Sequence, residues 1–591
     1  MKTSRTLARA ATMTVLAGAL AQAWAADTTT PIQHVIIVVG ENRTFDNLYA
    51  TYQPRVGQRI ENLLQKGIVN ADGTPGPHHG ESVQRIGRGE DKYKAVTRSQ
   101  GKYAVRPRPY TTYAIGLPQG VPDVRFPADL PNGPFQISRY VPYASYTGDP
   151  VHRFFQMWQE IDGGKHDKFV WVAETIGTGS NGKAPPPGGF NPKEGAISMG
   201  FFNMNPYIDA EGVAQPGDAP VFKSLADTYA ISDNYHQAVM GGTGANFQAV
   251  VAADAAFFTN PDGSAGVPYE NQIENPNAWK GTDNYYRQDG YSGGSYVNCA
   301  DPRQPGVKGV LDAMRAAGNT RTNCEDGHYY LVNNYNMYWN QDGSTNTLGS
   351  DKFVLPPQGN PTIADVLTKN GVSWKYYAAD RAADVARFPD SVDGIPLPFH
   401  SYCGICDPLT AYTSIMTTPE KDKLVGYGQF LDDLAARSLP EVSFVRPFEA
   451  LAAHPADSTT DLYELFLADL VEKVQAQPEI WKSTAIFITT DEGGGYYDSG
   501  YIQPVDFFGD GTRIPFIAVS PYAKKGFVDH VYHDHASLAK FIEANWRLPA
   551  ISARSRDNLP NPVATKGNPY VPVNVPAIGD LMSMFDFDQR P

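Results

Sequence analysis

Two short stretches of this 591-residue chain carry paired oxygen ligands. Glu41 and Asn42 follow the apolar run 35–39 and Gly40, and Asp491 and Glu492 come shortly after the apolar run 485–488. Brought together, their three carboxylates would repel one another unless a cation lay between them. Oxygen donors of this kind suit one divalent ion. The plainer use of Glu41 and Asn42, ahead of Thr44-Phe45-Asp46, is to cap a helix. Between the two stretches, Met240-Gly-Gly-Thr243-Gly-Ala-Asn246 sets a hydroxyl among glycines before a helix. A nucleophile is exposed in this way beside a helix N-terminus, which also stabilises phosphate charge. An ordinary threonine N-cap has the same local sequence. His152, His400 and His454 each offer an imidazole for acid–base chemistry, and each also reads as a helix-end or surface histidine.

Elements must bring these groups to one place. Residues 35–39 are unbroken β-branched residues closed by Gly40, which predicts a strand buried on both faces of a parallel sheet. Residues 485–488 repeat that design. In open α/β sheets ligands bind beyond the strands' carboxyl ends, where both acidic pairs fall. The fold class expected is α/β: a mostly parallel central sheet flanked by helices, with long loop and lid insertions. Residues 60–71 read as a short helix and 74–135 as loops on the ligand side. Phe154, Phe155, Trp158 and Ile161 fit one helix face, ended by Gly163-Gly164. Residues 176–197 form a Gly/Pro/Asn insertion, and 222–230 a helix. Residues 258–350 lack periodicity and read as a lid or inserted subdomain. Helix 363–369 precedes strand 372–377, and strand 441–446 precedes His454-Pro455. An amphipathic helix follows, capped near Thr459-Thr460, with Leu462, Leu465, Phe466, Leu470 and Val474 on one face. Strand 514–519 and helix 537–546 close the fold, and the tail 551–591 is expected to wrap the surface. The cluster Asp529-His530, His533 and Asp534-His535 reads as helix capping and support, with zinc as the alternative.

Glu41-Asn42-Arg43-Thr44-Phe45-Asp46 resembles the opening motif of the bacterial phospholipase C / acid phosphatase-type phosphoesterases, in the alkaline-phosphatase-like superfamily. Asp491-Glu492-Gly-Gly-Gly-Tyr-Tyr-Asp498 resembles that family's second metal motif. The likeness runs from about Ile32 to Leu548. It implies that Glu41, Asn42, Thr243, Asp491 and Glu492 hold the metal ion and that Thr243 is the nucleophile. It also implies that Asn246 binds the phosphoryl group and that His152, His400 and His454 bind substrate and move protons. The chain departs from the family in having Phe247 after Asn246 where an arginine is common, and Ser499 after Asp498 where a histidine is common. The catalytic domain expected is 26–550, without the extra C-terminal β domains of some family phospholipases.

Residues 1–25 read as a Sec-type secretory signal: Lys2, Arg5 and Arg9, an apolar stretch at 10–20, and Ala23-Trp24-Ala25 for cleavage. Its arginines are not adjacent, so a twin-arginine signal is not indicated. The stretch is well short of the ~20 residues of a membrane span, so a periplasmic or secreted protein without stable membrane insertion is expected. Net charge is −14, and cleavage would make it more negative, which argues against nucleic acid or an anionic membrane as default partner. The four cysteines pair most simply as Cys299–Cys324 and Cys403–Cys406, with a redox or zinc role the alternative for Cys403-Gly-Ile-Cys406. Three functions compete: a phosphate monoesterase, a phospholipase C with an aromatic head-group pocket, and a binding protein on a dead scaffold.

Overall fold

The computed structural model describes residues 27–110, 116–118, 121–175, 195–288 and 293–589. The signal at 1–25 and most of the 176–197 insertion lie outside the described residues. Eight strands form the central sheet: β1 (His34–Gly40), β2 (Ala230–Ser232), β3 (Trp374–Ala378), β4 (Leu424–Val425), β5 (Val442–Arg446), β6 (Thr484–Thr490), β7 (Phe516–Val519) and β8 (Phe527–Asp529). Their order is β4-β3-β5-β1-β6-β7-β2-β8. All neighbours are parallel except β7, which runs antiparallel to β6 and to β2. The mostly parallel α/β sheet expected from the sequence is present.

The unbroken apolar runs have the predicted cause. On β1, Ile36 and Val38 enter the core on one face, while Val35, Ile37 and Val39 enter the core on the other. On β6, Ile486 and Ile488 divide in the same way from Ala485 and Phe487. The helices that matter for the site are α1 (Phe45–Tyr49), α2 (Phe154–Ile161), α3 (Pro220–Thr228), α4 (Thr243–Ala252), α5 (Thr460–Gln475) and α6 (Ala536–Trp546). Helices α2 and α5 cover the first face. Helix α6 and much of α4 cover the second.

Some local expectations are corrected. Residues 60–71 form turns rather than a helix. Asn62 donates to the carbonyls of Tyr49 and Tyr52, and Gly67 sits at φ +69°, so the segment folds back before a helix can propagate. On α5 the buried face runs through Tyr463, Phe466, Leu467, Leu470 and Val474, whereas Leu465 is exposed. The tail crosses the surface around residues 561–568, then buries Leu581, Met584 and Phe585 in the core. The disulfides Cys299–Cys324 and Cys403–Cys406 are both present, as paired in the sequence. Among the described residues, no helix is long and apolar enough to cross a membrane.

Candidate active site

Strands β1 and β6 pair with Gly40 opposite Thr490, so the residues that follow them leave the same sheet edge side by side. Asp491 N donates to Gly40 O at 3.0 Å, and Arg43 N donates to Glu492 O at 3.1 Å. Asn42 adopts φ 56°, a left-handed turn that asparagine tolerates better than most residues. Its backbone N–H donates to Asp491 Oδ1 at 3.2 Å. Gly494 lies against this turn at φ +60°, and a Cβ there would come 2.5 Å from Asn42 Cβ, so glycine is required.

Asn42, Asp491 and Glu492 bring buried oxygen donors to this one sheet edge. All three residues are fully buried. Asp491 Oδ2, Glu492 Oε2 and the Asn42 side-chain amide have no hydrogen-bond partner among the described residues. Buried polar groups are normally satisfied, and a buried unpaired carboxylate is costly. Burial pushes the Asp491 and Glu492 carboxyls well above the usual carboxylate range, helped by the Glu41 charge on Asp491 and the Asp491 charge on Glu492. A divalent ion with an oxygen coordination shell resolves both problems, so the residues fit the metal expected from the sequence. Glu41 is buried beside them. Burial and Glu449 raise its carboxyl, while Arg446 and His454 oppose that rise, and Arg446 donates to both Glu41 and Glu449. Cys406 Sγ lies 3.3 Å from Glu41 Oε1, but its bond to Cys403 leaves no thiolate for a metal.

Thr243 is the first residue of α4, and its Oγ1 donates to Glu492 Oε1 at 3.0 Å. His152 precedes α2. Its Nδ1 donates to Pro150 O at 2.6 Å, and its Nε2 lies 3.7 Å from Glu492 Oε1. Burial pushes its pKa down to about 4 against the pull of Asp149, so the ring is neutral. His454 has the opposite balance. Burial alone would lower it, but Asp149, Glu41, Asp457 and Glu449 carry it up to about 9. Asp149 joins the two rings, with Oδ1 3.8 Å from His152 Nδ1 and Oδ2 3.9 Å from His454 Nε2.

The fold therefore gathers Glu41, Asn42, Thr243, Asp491, Glu492, His152 and His454. Two expected site residues face elsewhere. His400 bonds Asp380 through Nδ1 and the Phe388 carbonyl through Nε2, and Asp380 in turn accepts from Glu449 N. Asn246 is fully buried and holds the loop: Oδ1 accepts from Val239 N, and Nδ2 donates to the carbonyls of Val239 and Gly241. His535 bridges Thr490 O and Ala238 N, and Asp534 accepts from Ala536 N, which matches the supporting role read for that cluster. The sequence reading missed Asp149, Arg153 and Arg446. Arg153 is buried and its charge acts on both Glu492 and His152. An acid three residues before a histidine, and a charge ending the apolar run 442–445, were the available signals.

Three known proteins are similar to this chain at low identity. Phospholipase C B of Mycobacterium tuberculosis is 22% identical over 598 residues, covering 95% of this chain and 79% of that protein. Phospholipase C A of the same organism is 26% identical over 247 residues, 37% of this chain and 42% of that protein. Phosphate-repressible acid phosphatase of Penicillium chrysogenum is 26% identical over 215 residues, 35% and 48% respectively. The chain thus spans under half the length of the last two. The Phosphoesterase family pattern matches residues 32–549, from the start of β1 past the end of α6, and on that evidence the chain belongs to the phosphoesterase family.

Proposed function

We propose that the chain is a metal-dependent phosphoesterase that hydrolyses phosphate monoesters through a covalent phosphothreonine at Thr243. The observation that carries this reading is the Thr243 hydroxyl, bonded to Glu492 at the mouth of a cradle of unpartnered buried oxygens. Asn42, Asp491 and Glu492, with Glu41 beside them, would hold one divalent ion. When bound, it supplies Lewis-acid polarisation and lowers the pKa of a coordinated hydroxyl.

The chain's own groups do the rest. Thr243 Oγ1 attacks phosphorus, and its proton has Glu492 Oε1 as immediate acceptor. The N-terminus of α4 and the buried Arg153 guanidinium oppose the growing negative charge. His454, held cationic by Asp149, protonates the leaving oxygen. His152, held neutral, takes a proton from the water that releases phosphate from Thr243. Two disulfides agree with export to an oxidising compartment by the signal at 1–25.

The mycobacterial relatives favour a second reading, phospholipase C, in which the leaving group is a diacylglycerol. Hydrolysis of p-nitrophenyl phosphate and of p-nitrophenyl phosphorylcholine, with and without chelator, separates the two. Turnover of the monoester that is lost with chelator and in Thr243→Ala is expected. Turnover of the phosphorylcholine ester alone would replace the first reading with the second. Full activity of a folded Thr243→Ala would remove the covalent intermediate.

A further inference from the structure

The 258–350 insertion reaches into the site through one short segment. Residues 330–331 pair with 296–297, and Val332 N donates to Ser295 O at 3.0 Å, so the chain arrives at Asn333 and Asn334 from an ordered ribbon. The glycines around Thr243 are shaped to receive it. A Cβ on Gly241 would meet Val332 O at 1.8 Å, and one on Gly242 would meet Asn334 Oδ1 at 2.7 Å. Asn334 Oδ1 accepts from Gly244 N at 2.6 Å, the amide that follows Thr243. Asn333 Oδ1 accepts from Phe154 N at 2.9 Å, at the start of α2 and two residues after His152. The insertion therefore joins the N-termini of the nucleophile helix and of the helix that carries His152.

One donor in this arrangement has no acceptor. Asn333 is fully buried, and its Nδ2 finds no hydrogen-bond partner among the described residues. With its Oδ1 tied to Phe154 N, the amide cannot flip without leaving that N–H unpaired. The side chain that carries this NH2 group thus lies between the start of α2, two residues after His152, and Asn334, which accepts from the amide after Thr243. A buried amide donor is costly to leave without an acceptor. We infer that Asn333 is a substrate-binding residue whose Nδ2 donates to a phosphoryl or ester oxygen during the reaction. This inference rests on the phosphoesterase reading above and gives the insertion, read from the sequence as a lid or inserted subdomain, one named residue at the catalytic site.

The test is Asn333→Asp, which keeps the acceptor for Phe154 N–H but replaces the NH2 donor with a charged oxygen, together with Asn333→Ala, which removes the donor without adding charge. In the full chain with a divalent cation, kcat/KM for p-nitrophenyl phosphate should fall about 100-fold or more, as on removal of one oxyanion donor. The rise in Tm that inorganic phosphate gives the wild type should be lost. Asn333→Ala, which adds no charge, should lose kcat/KM and the phosphate-induced rise in Tm as well, whereas a purely structural role lowers the Tm of this variant and leaves kcat/KM and the phosphate-induced rise of the folded protein near wild type. Should Asn333→Asp fail to fold, the phosphate-induced rise in Asn333→Ala decides: its loss supports the inference and its retention overturns it. A wild type that hydrolyses the ester and responds to phosphate, beside an Asp variant that matches it, overturns this inference alone. A wild type that does neither overturns the phosphoesterase reading as well.

Discussion

Asp149→Asn tests the electrostatic division between the two histidines. Asp149 is fully buried, 3.9 Å from His454 Nε2, and is the largest of the influences that raise that imidazole. At an effective dielectric of about 20, two unit charges at this separation interact by about 4 kcal/mol, or roughly 3 pKa units. Glu41, Asp457 and Glu449 remain in the variant and continue to raise His454. An observed fall of ~1–2 units is therefore expected, within the usual range for a neighbouring charge. His454 must be protonated to act as acid, so activity is lost as pH rises through its pKa. The alkaline limb of kcat/KM on p-nitrophenyl phosphate should move from about 9 toward roughly 7–8. Activity at about pH 5 should stay within a few fold of wild type, since His454 is protonated there in both proteins. That retained acid activity also shows that the variant is folded. An alkaline limb that stays in place, or moves upward, would refute the assignment of His454 as the acid governed by Asp149.

Two further outcomes are expected. Asp491 and Glu492 titrate above their unfolded values of about 3.9 and 4.3. Their contribution to stability is thus full below about pH 4 and is lost as pH rises through the folded-state values. The chelated chain should lose Tm as pH rises through this range. A divalent cation at about 100 times its Kd should return about 2.7 kcal/mol. Parallel Tm profiles with and without cation would sink the cradle. The second outcome concerns Arg513, which is fully buried and donates to Asp498 at 2.9 and 3.0 Å while lying 3.2 Å from Asp46. Arg513→Met should cost about 3–5 kcal/mol in urea unfolding, less in acid where the stranded carboxyls take up protons. A loss below about 1 kcal/mol would show that the triad contributes little.

Much of the sheet was legible because burial on both faces writes itself as a continuous β-branched run, and 35–39 and 485–488 are such runs. The left-handed or cramped backbone beside the ligands was legible as glycine, in 493–495 and around Thr243. Residues 60–71 misled because apolar spacing suited a helix while Asn62 supplied a local competitor for the backbone. Leu465 misled because α5 turns its tyrosine and phenylalanine inward and leaves a leucine outside. Asp149 and Arg446 left only faint local signals, and Asn333 left none, for a different reason. Each matters through a partner remote in the chain: Asp149 through His454, Arg446 through Glu41, and Asn333 through the first turn of α2. Local spacing carries no record of such pairs.

The same contrast explains why the two motifs are as long as they are. In each, the first residues are the proposed metal ligands: Glu41-Asn42 in one, Asp491-Glu492 in the other. The last residue of each has a different partner. Asp46 and Asp498 both close on Arg513, and Ser499 donates to Asp46 at 2.6 Å from its hydroxyl and at 2.8 Å from its backbone N–H. Two acids side by side in a buried site need a cation, and here the chain supplies its own, from the residues just before β7. Arg513 also donates to the Asp233 carbonyl, just after β2, so the clamp reaches the far side of the sheet. A motif that ends in such a clamp holds its ligand half in register even when no metal is bound. Ser499 thus has a stated use in a place where a histidine would have suggested chemistry. The reacting groups and the Arg513 triad then fail by different routes, one in turnover and the other in folding, and a variant in either half can be assigned by measuring both.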